Sequence, residues 1–336
     1  MARYILFGAG AIGSIVGVNL YRSGRDAILV GRGPHIQAIR KDGLKLKVKG
    51  EIRRIKIDAI EDLSGLTPKA DDRILVTVKS QHTAAAVESL SRAYTPQAPV
   101  VALQNAICNE ETIAARFESV YGALVEFCGN FLEPGTVEQT RNNLIGVGKF
   151  PDGFDSVAAS VCQDLGEAGF QVERDEKVME LKWWKLVVNT NNGLLALLGS
   201  WLQKGFSDPE IYPLMADVMQ ESFQVLEKAG IHTRPPLGFP PLELAIQKLR
   251  SGERAREEDL PIEQRTYPST WQDLHLKRGS TEVEFLNGEI ERIGRRLGVP
   301  TPRNSLILQL VSEIARNREP PGKYSPQQIK SLFASF

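Results

Sequence analysis

A lysine and an asparagine lie four residues apart in a strongly apolar stretch of the sequence. Lys185 and Asn189 belong to residues 182–193 (KWWKLVVNTNNG), where a helix would place both side chains on one face. Burial among apolar neighbours lowers the pKa of a lysine, so Lys185 could donate a proton near neutral pH. The Asn189 amide could hold a substrate carboxylate or carbonyl. Alternatively, Lys185 reaches solvent and Asn189 caps a turn, or Lys182, one turn earlier, is the reactive lysine.

A glycine loop at residues 8–13 (GAGAIG) is typical of a dinucleotide site. It follows an apolar run at residues 2–7, which predicts a buried strand, and it precedes a helical pattern. The first glycine permits a tight turn, the second lets the backbone approach a pyrophosphate, and the third allows close helix–sheet packing. The helix N-terminus offers free N–H groups and a partial positive charge to the phosphates. A merely structural glycine turn is the alternative. The expected cofactor contacts here are Gly8, Gly10, Ala11, Ile12 and Gly13.

The end of the second predicted strand favours NADPH over NADH. An enzyme that uses NADH usually carries Asp or Glu there, about 20 residues beyond the glycine loop, to bind the ribose hydroxyls. This chain has residues 29–33 (LVGRG) at that place, and Asp26 comes before the strand. The forked guanidinium of Arg32 could bind the 2′-phosphate of NADPH. An exposed loop arginine is the alternative interpretation.

Length and charge limit the class of protein. With 336 residues, the chain is long enough for two domains that each bury a core. Its 41 basic and 41 acidic side chains balance, so no overall field attracts nucleic acid or an anionic membrane. No stretch approaches the ~20 apolar residues that cross a bilayer. We therefore expect neither nucleic acid nor membrane as a partner.

The cysteine and histidine positions do not suggest a metal site. Cys108, Cys128 and Cys162 are widely spaced and form no CxxC pattern, which suits a reducing compartment. Because the N-terminus also lacks a signal-peptide pattern, we expect a cytoplasmic protein. The four histidines form no metal-like pair, and each is expected at the surface or in a satisfied core position. Cys108 is interpreted as a small packed residue, with a reactive thiol as the alternative.

Short apolar runs alternate with helical patterns in the first half of the chain. This alternation predicts an α/β domain, a Rossmann fold with a doubly wound parallel sheet, over residues 1–175. A pair of β segments is also expected around residues 49–51. The predicted strands lie at residues 2–7, 27–30, 43–48, 52–57, 73–78 and 99–103, with a helix at residues 83–94.

The second half is mainly α-helical in its pattern, which predicts a helical substrate and dimerisation domain over residues 176–336. A homodimer through apolar helix faces is the expected assembly. Within residues 235–259, the proline-rich residues 235–241 and the charge-dense residues 250–259 are interpreted as a solvated surface excursion, with a lid or an oligomer contact as alternatives. The predicted helices lie at residues 180–198, 210–229, 242–249, 282–297 and 305–314.

Eight segments, taken in order, resemble the ketopantoate reductases (2-dehydropantoate 2-reductases). This family belongs to the two-domain dehydrogenases related to 6-phosphogluconate dehydrogenase. The segments at residues 269–273, with Ser269 and Gln272-Asp273, and at residues 281–288, with Thr281-Glu282, are together more specific than the glycine loop. The matching segments are residues 8–13 (GAGAIG), 76–79 (VTVK), 104–105 (QN), 133–137 (EPGTV), 184–189 (WKLVVN), 269–273 (STWQD), 281–288 (TEVEFLNG) and 298–302 (GVPTP).

The resemblance implies the NADPH-dependent reduction of a 2-keto acid, with ketopantoate to pantoate as the leading reaction. Lys185 would be the general acid that protonates the carbonyl oxygen, and Glu282 would pair with or orient that lysine. Asn105, Asn189 and Ser269 would hold the substrate carboxylate and hydroxyl. Arg32 and Lys79 would contact NADPH, and Asn105 is expected near the cofactor as well. By the residues alone, Glu282 reads as a carboxylate in the first turn of a helix after Ser280-Thr281.

Two departures from the family pattern fall near the expected substrate. The family's Gln-Asn-Gly-x-Gly-Asn loop appears here with Ala106 and Cys108 in place of the glycines, which would be strained wherever φ must be positive. Gly193 stands where the family carries a second substrate-side asparagine. The alternatives are therefore a reductase of a different keto acid on the same scaffold, and an NADPH-binding sensor without turnover.

Overall fold

The computed structural model describes residues 2–252 and 265–336. Contacts between Cα atoms divide the chain into two compact units, Met1–Lys182 and Trp183–Phe336. The first unit is an α/β structure, and the described part of the second is helical. The predicted fold class, a Rossmann domain followed by a mainly helical region, is confirmed.

The strands of the first unit form one sheet of ten strands within the described residues. Its order is β4-β3-β9-β8-β7-β6-β1-β2-β5, and β10 pairs with β9 outside this path. The strands are β1 (Arg3–Phe7), β2 (Asp26–Val30), β3 (Leu44–Val48), β4 (Glu51–Ile55), β5 (Asp58–Ile60), β6 (Asp72–Val76), β7 (Val100–Ala102), β8 (Val120–Glu133), β9 (Thr136–Lys149) and β10 (Gln171–Arg174).

Fourteen α-helices and two short 3-10 helices occur in the described ranges. No helix there is both long enough and apolar enough to cross a bilayer. The 3-10 helices span Ser80–His82 and Glu282–Phe285. The α-helices are α1 (Ala11–Arg22), α2 (Pro34–Asp42), α3 (Thr83–Ala93), α4 (Asn109–Ala114), α5 (Ser156–Glu167), α6 (Val178–Asn189), α7 (Asn191–Leu197), α8 (Leu202–Ser207), α9 (Tyr212–Ala229), α10 (Leu242–Ser251), α11 (Ser269–His275), α12 (Asn287–Leu297), α13 (Pro302–Arg316) and α14 (Pro326–Phe333).

The parallel half of the sheet runs β5-β2-β1-β6-β7-β8. β1 lies between β2 and β6, so the strand order reverses its direction at β1. Helices α1, α3 and α4 connect successive parallel strands, as apolar runs buried on both faces require. Ligands of doubly wound sheets bind at such a switch point, beyond the carboxyl ends of the strands.

The other half of the sheet departs from the expected parallel arrangement. β8 and β9 form a long antiparallel hairpin, and β3 and β4 form the predicted β pair around Lys49 and Gly50. The turn between β8 and β9 is tight because Gly135 adopts a φ of 81°. The sheet is therefore mixed, with parallel strands at the switch point and antiparallel pairs beside them.

Three glycines of the β8–β9 hairpin let helix α6 approach the sheet closely. A Cβ built on Gly122 would lie 3.0 Å from Val178 Cγ1, and one on Gly148 would lie 2.9 Å from Val178 Cβ. A Cβ built on Gly146 would lie 2.8 Å from Leu181 Cδ1. A side chain at Gly146 or Gly148 would require neighbouring atoms to move. The first two turns of α6 therefore pack directly against the strand backbone at these positions.

A buried polar network organises the second unit around the start of α13. The Glu221 carboxylate accepts from the Asn304 amide N–H and side-chain Nδ2, both at 2.8 Å, and from the Arg303 amide at 3.0 Å. Asn287 Nδ2 donates to Asn304 Oδ1 at 2.9 Å and to the Thr190 carbonyl at 3.0 Å. The network therefore ties α9, α12 and α13 to the break between α6 and α7, where one continuous helix was expected.

The first part of the proline-rich segment is anchored rather than fully solvated. Trp184 Nε1 donates to the Pro240 carbonyl at 3.0 Å, and its ring meets Phe239 edge-on at 5.4 Å. Leu237, near the start of the same segment, is 61% exposed. Of the charge-dense residues 250–259 in the expected excursion, residues 250 and 251 end α10, and residues 253–259 lie outside the described residues.

Candidate functional site

The expected cofactor residues follow four neighbouring parallel strands. The glycine loop follows β1, Arg32 follows β2, Lys79 follows β6 and Asn105 follows β7. The strands end level with one another, because Phe7 pairs with Val76 in the sheet. The fold thus brings all four segments to one edge of the sheet, at its switch point.

The glycine loop is tight at its first and third glycines and open at the second. Gly8 has a φ of 125°, and a Cβ there would lie 2.5 Å from the Val78 amide nitrogen. A Cβ on Gly13 would lie 2.5 Å from Thr77 Oγ1, which donates to the Gly8 carbonyl at 2.6 Å. A Cβ on Gly10 would meet no atom within 4 Å. Free space therefore lies over the middle of the loop, where a pyrophosphate could approach the backbone.

The start of α1 offers unpaired N–H groups beside that space. The first helical hydrogen bond runs from the Ser14 amide to the Gly10 carbonyl at 2.9 Å. The amides of Ala11, Ile12 and Gly13 precede it and have no partner within the helix. These N–H groups and the positive end of the helix dipole favour an anion. The residues present therefore fit the diphosphate of a dinucleotide.

Arg32 is exposed on the loop between β2 and α2. Asp26 opens β2 at the opposite end of the strand and lies 3.9 Å from Lys69, so it cannot reach a ribose at the carboxyl edge. No carboxylate of the described residues pairs with the Arg32 guanidinium. The positive charge at this point is available to an anionic group.

His35 joins three elements beneath the loop that carries Arg32. The Gly135 amide donates to His35 Nδ1 at 2.9 Å, so the neutral ring carries its proton on Nε2, 3.2 Å from Ser14 Oγ. The ring lies 4.7 Å from that of Phe131. Burial lowers the pKa of His35 to about 4. The side chain is a satisfied core histidine, one of the two environments expected for it, and it ties α1 and α2 to the β8–β9 turn.

The loop that carries Asn105 adopts a conformation that glycine usually supplies. Ala106, at the first of the two lost glycines, is buried and has a φ of 66°, whereas Cys108 has a φ of −87°. Only the first substitution is therefore strained. The Asn105 carbonyl accepts from Asn109 Nδ2 at 2.6 Å and from Ser80 Oγ at 3.3 Å. These bonds join the Asn105 loop to the segment after Lys79.

A buried ion pair holds the other end of this loop. Lys182 Nζ pairs with the Glu110 carboxylate and also donates to the Gln104 carbonyl at 3.2 Å. The side chains of Lys182 and Glu110 are 3% and 0% exposed. Burial raises the pKa of Glu110 above its usual value, although the Lys182 ammonium opposes the rise. Lys182 is committed to this pair, which leaves Lys185 as the predicted proton donor.

The expected catalytic residues all lie in the second unit. Lys185 and Asn189 occupy the last turns of α6, one helical turn apart, and both are half-buried. Glu282 is 3% exposed and is the first residue of its 3-10 helix, which matches the helix-start position expected for it. Thr281 Oγ1 caps this helix by accepting from the Val283 amide at 3.2 Å. Their catalytic roles stay predictions.

The face of α7 at Gly193 is filled. A Cβ on Gly193 would lie 2.5 Å from Ile307 Cγ2 and 3.6 Å from Val283 Cγ2, so an asparagine has no room there. The contact with Val283 places the 3-10 helix that starts at Glu282 against α7. Ser269 opens α11, which packs on α7, and its Oγ is buried without a hydrogen-bond partner. A hydroxyl left this way can still bind a substrate group.

Sequence reasoning missed the residues that shape these loops. Thr77 lies within an apolar strand pattern, where a single hydroxyl is a weak signal. Asn109 and Glu110 begin α4, and polar residues at a helix start are usually read as caps. In residues 2–252 and 265–336, no group of three His, Cys, Asp or Glu side chains could hold a metal ion.

Family models match both parts of the chain. The model described as ketopantoate reductase PanE/ApbA matches residues 4–152, and that of its C-terminal region matches residues 177–315. A 2-dehydropantoate 2-reductase of Pyrococcus horikoshii is 31% identical over 93% of this chain and 96% of the relative. A 2-dehydropantoate 2-reductase of Pyrococcus abyssi is 29% identical over 93% of this chain and 97% of that relative.

Solved structures share the fold over nearly the whole chain. A PanE/ApbA family ketopantoate reductase from Ralstonia eutropha JMP134 has a TM-score of 0.78 and 30% identity, covering 95% of this chain and 99% of that one. A D-mandelate dehydrogenase with NADH and anilino(oxo)acetate has a TM-score of 0.81 and 24% identity, with the same coverage. The second likeness shows the fold alone.

Proposed function

This chain belongs to the ketopantoate reductase family, and on that basis we propose that it reduces a 2-keto acid to the 2-hydroxy acid with NADPH. Reduction of ketopantoate to pantoate is the first reaction to test, because the relatives from Pyrococcus are named 2-dehydropantoate 2-reductases. The observation that carries the proposal is the open glycine loop at the sheet's switch point, with the unpaired Arg32 beside it.

The choice of NADPH rests on charge at the end of β2. Residues 31–34 contain an arginine and no carboxylate, so a 2′-phosphate would meet a guanidinium rather than a repelling anion. Lys79 follows β6 and Asn105 follows β7, and both would contact the rest of the cofactor. When bound, NADPH supplies the hydride.

Lys185 supplies the proton in this proposal. Reduction of a ketone develops negative charge on the carbonyl oxygen, so a proton donor must meet that oxygen as the charge forms. Lys185 Nζ donates to the oxygen, and the Asn189 amide, one turn along the same helix, holds a substrate oxygen. Glu282 orients the lysine. Ser269 and Asn105 bind the carboxylate and hydroxyl of the substrate.

A different 2-keto acid is the second candidate, and the packing at Gly193 favours it. The family's second substrate-side asparagine is replaced by a glycine, and Ile307 occupies the space that its side chain would need. The set of amides available to the substrate is therefore smaller. A keto acid with fewer polar groups than ketopantoate would suit such a site.

The test follows NADPH absorbance with the purified protein, first with ketopantoate and then with a panel of 2-keto acids. Lys185→Ala is compared with the wild type and with Lys228→Ala, which alters an exposed lysine of α9. We expect oxidation by the wild type and the control but not by Lys185→Ala. Turnover of another acid in place of ketopantoate supports the second candidate, and NADPH binding without turnover on any acid refutes both.

The expected homodimer belongs to the same proposal. Light scattering of the protein used in the assay measures its mass directly. A species of 37.2 kDa throughout the working concentration range would contradict the dimer.

A further inference from the structure

We propose that the buried Lys182–Glu110 pair is a positioning device that fixes the loop of residues 104–109, and through it Asn105, in the conformation that binds substrate. The inference rests on the proposed function, in which Asn105 contacts the keto acid. Nothing in the family resemblance assigns a role to either member of the pair.

The loop needs such a device because one of its residues is strained. Ala106 adopts a φ of 66°, a left-handed conformation that an alanine disfavours. Ala106 follows Asn105 directly, so relaxation of its backbone would rotate the peptide that carries the Asn105 carbonyl. The hydrogen bonds around the loop must oppose that relaxation.

Two carbonyls before Ala106 accept hydrogen bonds from side chains. Lys182 Nζ donates to the Gln104 carbonyl at 3.2 Å. Asn109 Nδ2 and Ser80 Oγ donate to the Asn105 carbonyl at 2.6 and 3.3 Å. Lys182 is the charged donor of this set, and hydrogen bonds from charged donors are the stronger ones.

Glu110 holds Lys182 in the place where it can donate to that carbonyl. The carboxylate is fully buried and pairs with the ammonium. Gly122 on β8 makes room for the pair, because a Cβ there would lie 3.3 Å from Glu110 Oε1 and 3.6 Å from Lys182 Cδ. The pair thus connects the end of β7, the start of α4 and the first half of α6.

Stability alone is a poor reason for a buried pair of this kind. Desolvation of two charges often cancels their attraction, so that an apolar pair of similar size is equally stable. An apolar pair cannot donate to the Gln104 carbonyl, however. Replacement of both residues together should therefore separate a positioning role from a merely structural one.

The decisive variant is Lys182→Met/Glu110→Met, which replaces both charges with side chains of similar length. We expect it to keep the melting temperature of the wild type within a few degrees. The kcat/KM for the keto acid should fall by about tenfold or more, since a small misplacement of a binding group is costly. The dissociation constant of NADPH should change less than kcat/KM does, because the glycine loop and Arg32 are untouched and Asn105 is only one of the expected cofactor contacts.

A matched control exists between two other strands of the sheet, β3 and β9. Lys47 and Glu138 form an ion pair at 2.9 Å between β3 and β9, away from the loop. Lys47→Met/Glu138→Met makes the same chemical change and should leave kcat/KM within twofold of the wild type. Ala106→Gly, added to the Lys182→Met/Glu110→Met variant, should restore part of the loss, because glycine adopts the left-handed conformation freely.

Two results would overturn the proposal. One is a stable Lys182→Met/Glu110→Met variant with wild-type kcat/KM. The other, which does not depend on turnover, is unchanged hydrogen exchange at residues 104–109, where we expect faster exchange in this variant. If the wild type reduces no keto acid, the proposed function fails by itself, and the exchange measurement still decides whether the pair holds the loop. If the double variant does not fold, Glu110→Gln with the same two measurements decides instead.

Discussion

Acid should destabilise the first unit through His35, and the size of the effect follows from its surroundings. The ring is 7% exposed and neutral, with Nδ1 accepting from the Gly135 amide. Burial lowers its pKa from 6.5 to about 4. In the unfolded chain the ring protonates near pH 6.5, whereas in the folded chain it resists protonation until about pH 4. The unfolded state therefore binds more protons between these values, and the free energy of unfolding falls as the pH is lowered.

The shift sets the magnitude of this loss. At 1.36 kcal/mol per pKa unit, His35 should remove about 2 kcal/mol from the free energy of unfolding between pH 7 and pH 5, and about 3 kcal/mol by pH 4. The contribution of the neutral ring is fully present above pH 6.5 and is lost through pH 4. Below that value His35 adds no further dependence on pH.

The assay compares the wild type with His35→Gln, which cannot titrate in this range. All four tryptophans lie in the second unit, so urea unfolding of the first unit should be followed by circular dichroism rather than by tryptophan fluorescence. We expect the wild type to lose more stability than His35→Gln on going from pH 7 to pH 5. His232→Gln, at an exposed histidine, serves as the control and should resemble the wild type. Equal pH dependence in the wild type and His35→Gln would refute the reasoning.

Three further predictions concern the site. Arg32→Gln should raise the KM for NADPH by about thirtyfold, because a hydrogen bond from a charged donor contributes roughly 2 kcal/mol, and it should leave the KM for NADH nearly unchanged. An equal effect on both KM values would contradict the 2′-phosphate contact. Gly10→Ala should weaken NADPH binding without lowering the melting temperature, whereas Gly13→Ala should lower both stability and binding, as calorimetry and fluorescence titration would show. Gly193→Asn should cost about 1–3 kcal/mol by overpacking, measured by urea unfolding, and Ile307→Ala should recover part of it if the clash is the cause.

The glycine loop was predictable in detail because its chemistry is local. Gly8 and Gly13 lie where a side chain would clash with neighbouring atoms, and Gly10 leaves open the space expected over the middle of the loop. The parallel strands were equally visible, since strands buried on both faces appear as continuous apolar runs. The strain at Ala106 was a conditional prediction, and only the structure could say which of the two lost glycines had needed a positive φ.

The β8–β9 hairpin could not be predicted for a physical reason. Its strands contain Gly122, Gly146 and Gly148, which lower β propensity, and these glycines exist to accommodate a helix that comes later in the chain. The pairing of Lys182 with Glu110 was hidden in the same way. The two residues are distant in sequence, and their partnership depends on how α6 lies on the sheet. Sequence patterns predict contacts between residues that are close in the chain, and they predict contacts between distant residues poorly.

The close packing of α6 against Gly122, Gly146 and Gly148 has a consequence for engineering the substrate range. Val178 and Leu181 are wedged against backbone, so α6 cannot roll about its own axis without adding or removing atoms at the glycines. The directions of the side chains at Lys185 and Asn189 are therefore set two turns earlier on the same helix. A library that varies the apolar residues of the first turns would also change the direction of Lys185, the proposed proton donor. Selection for new keto acids should leave those turns unchanged and place its diversity on α7, α11 and the 3-10 helix that begins at Glu282.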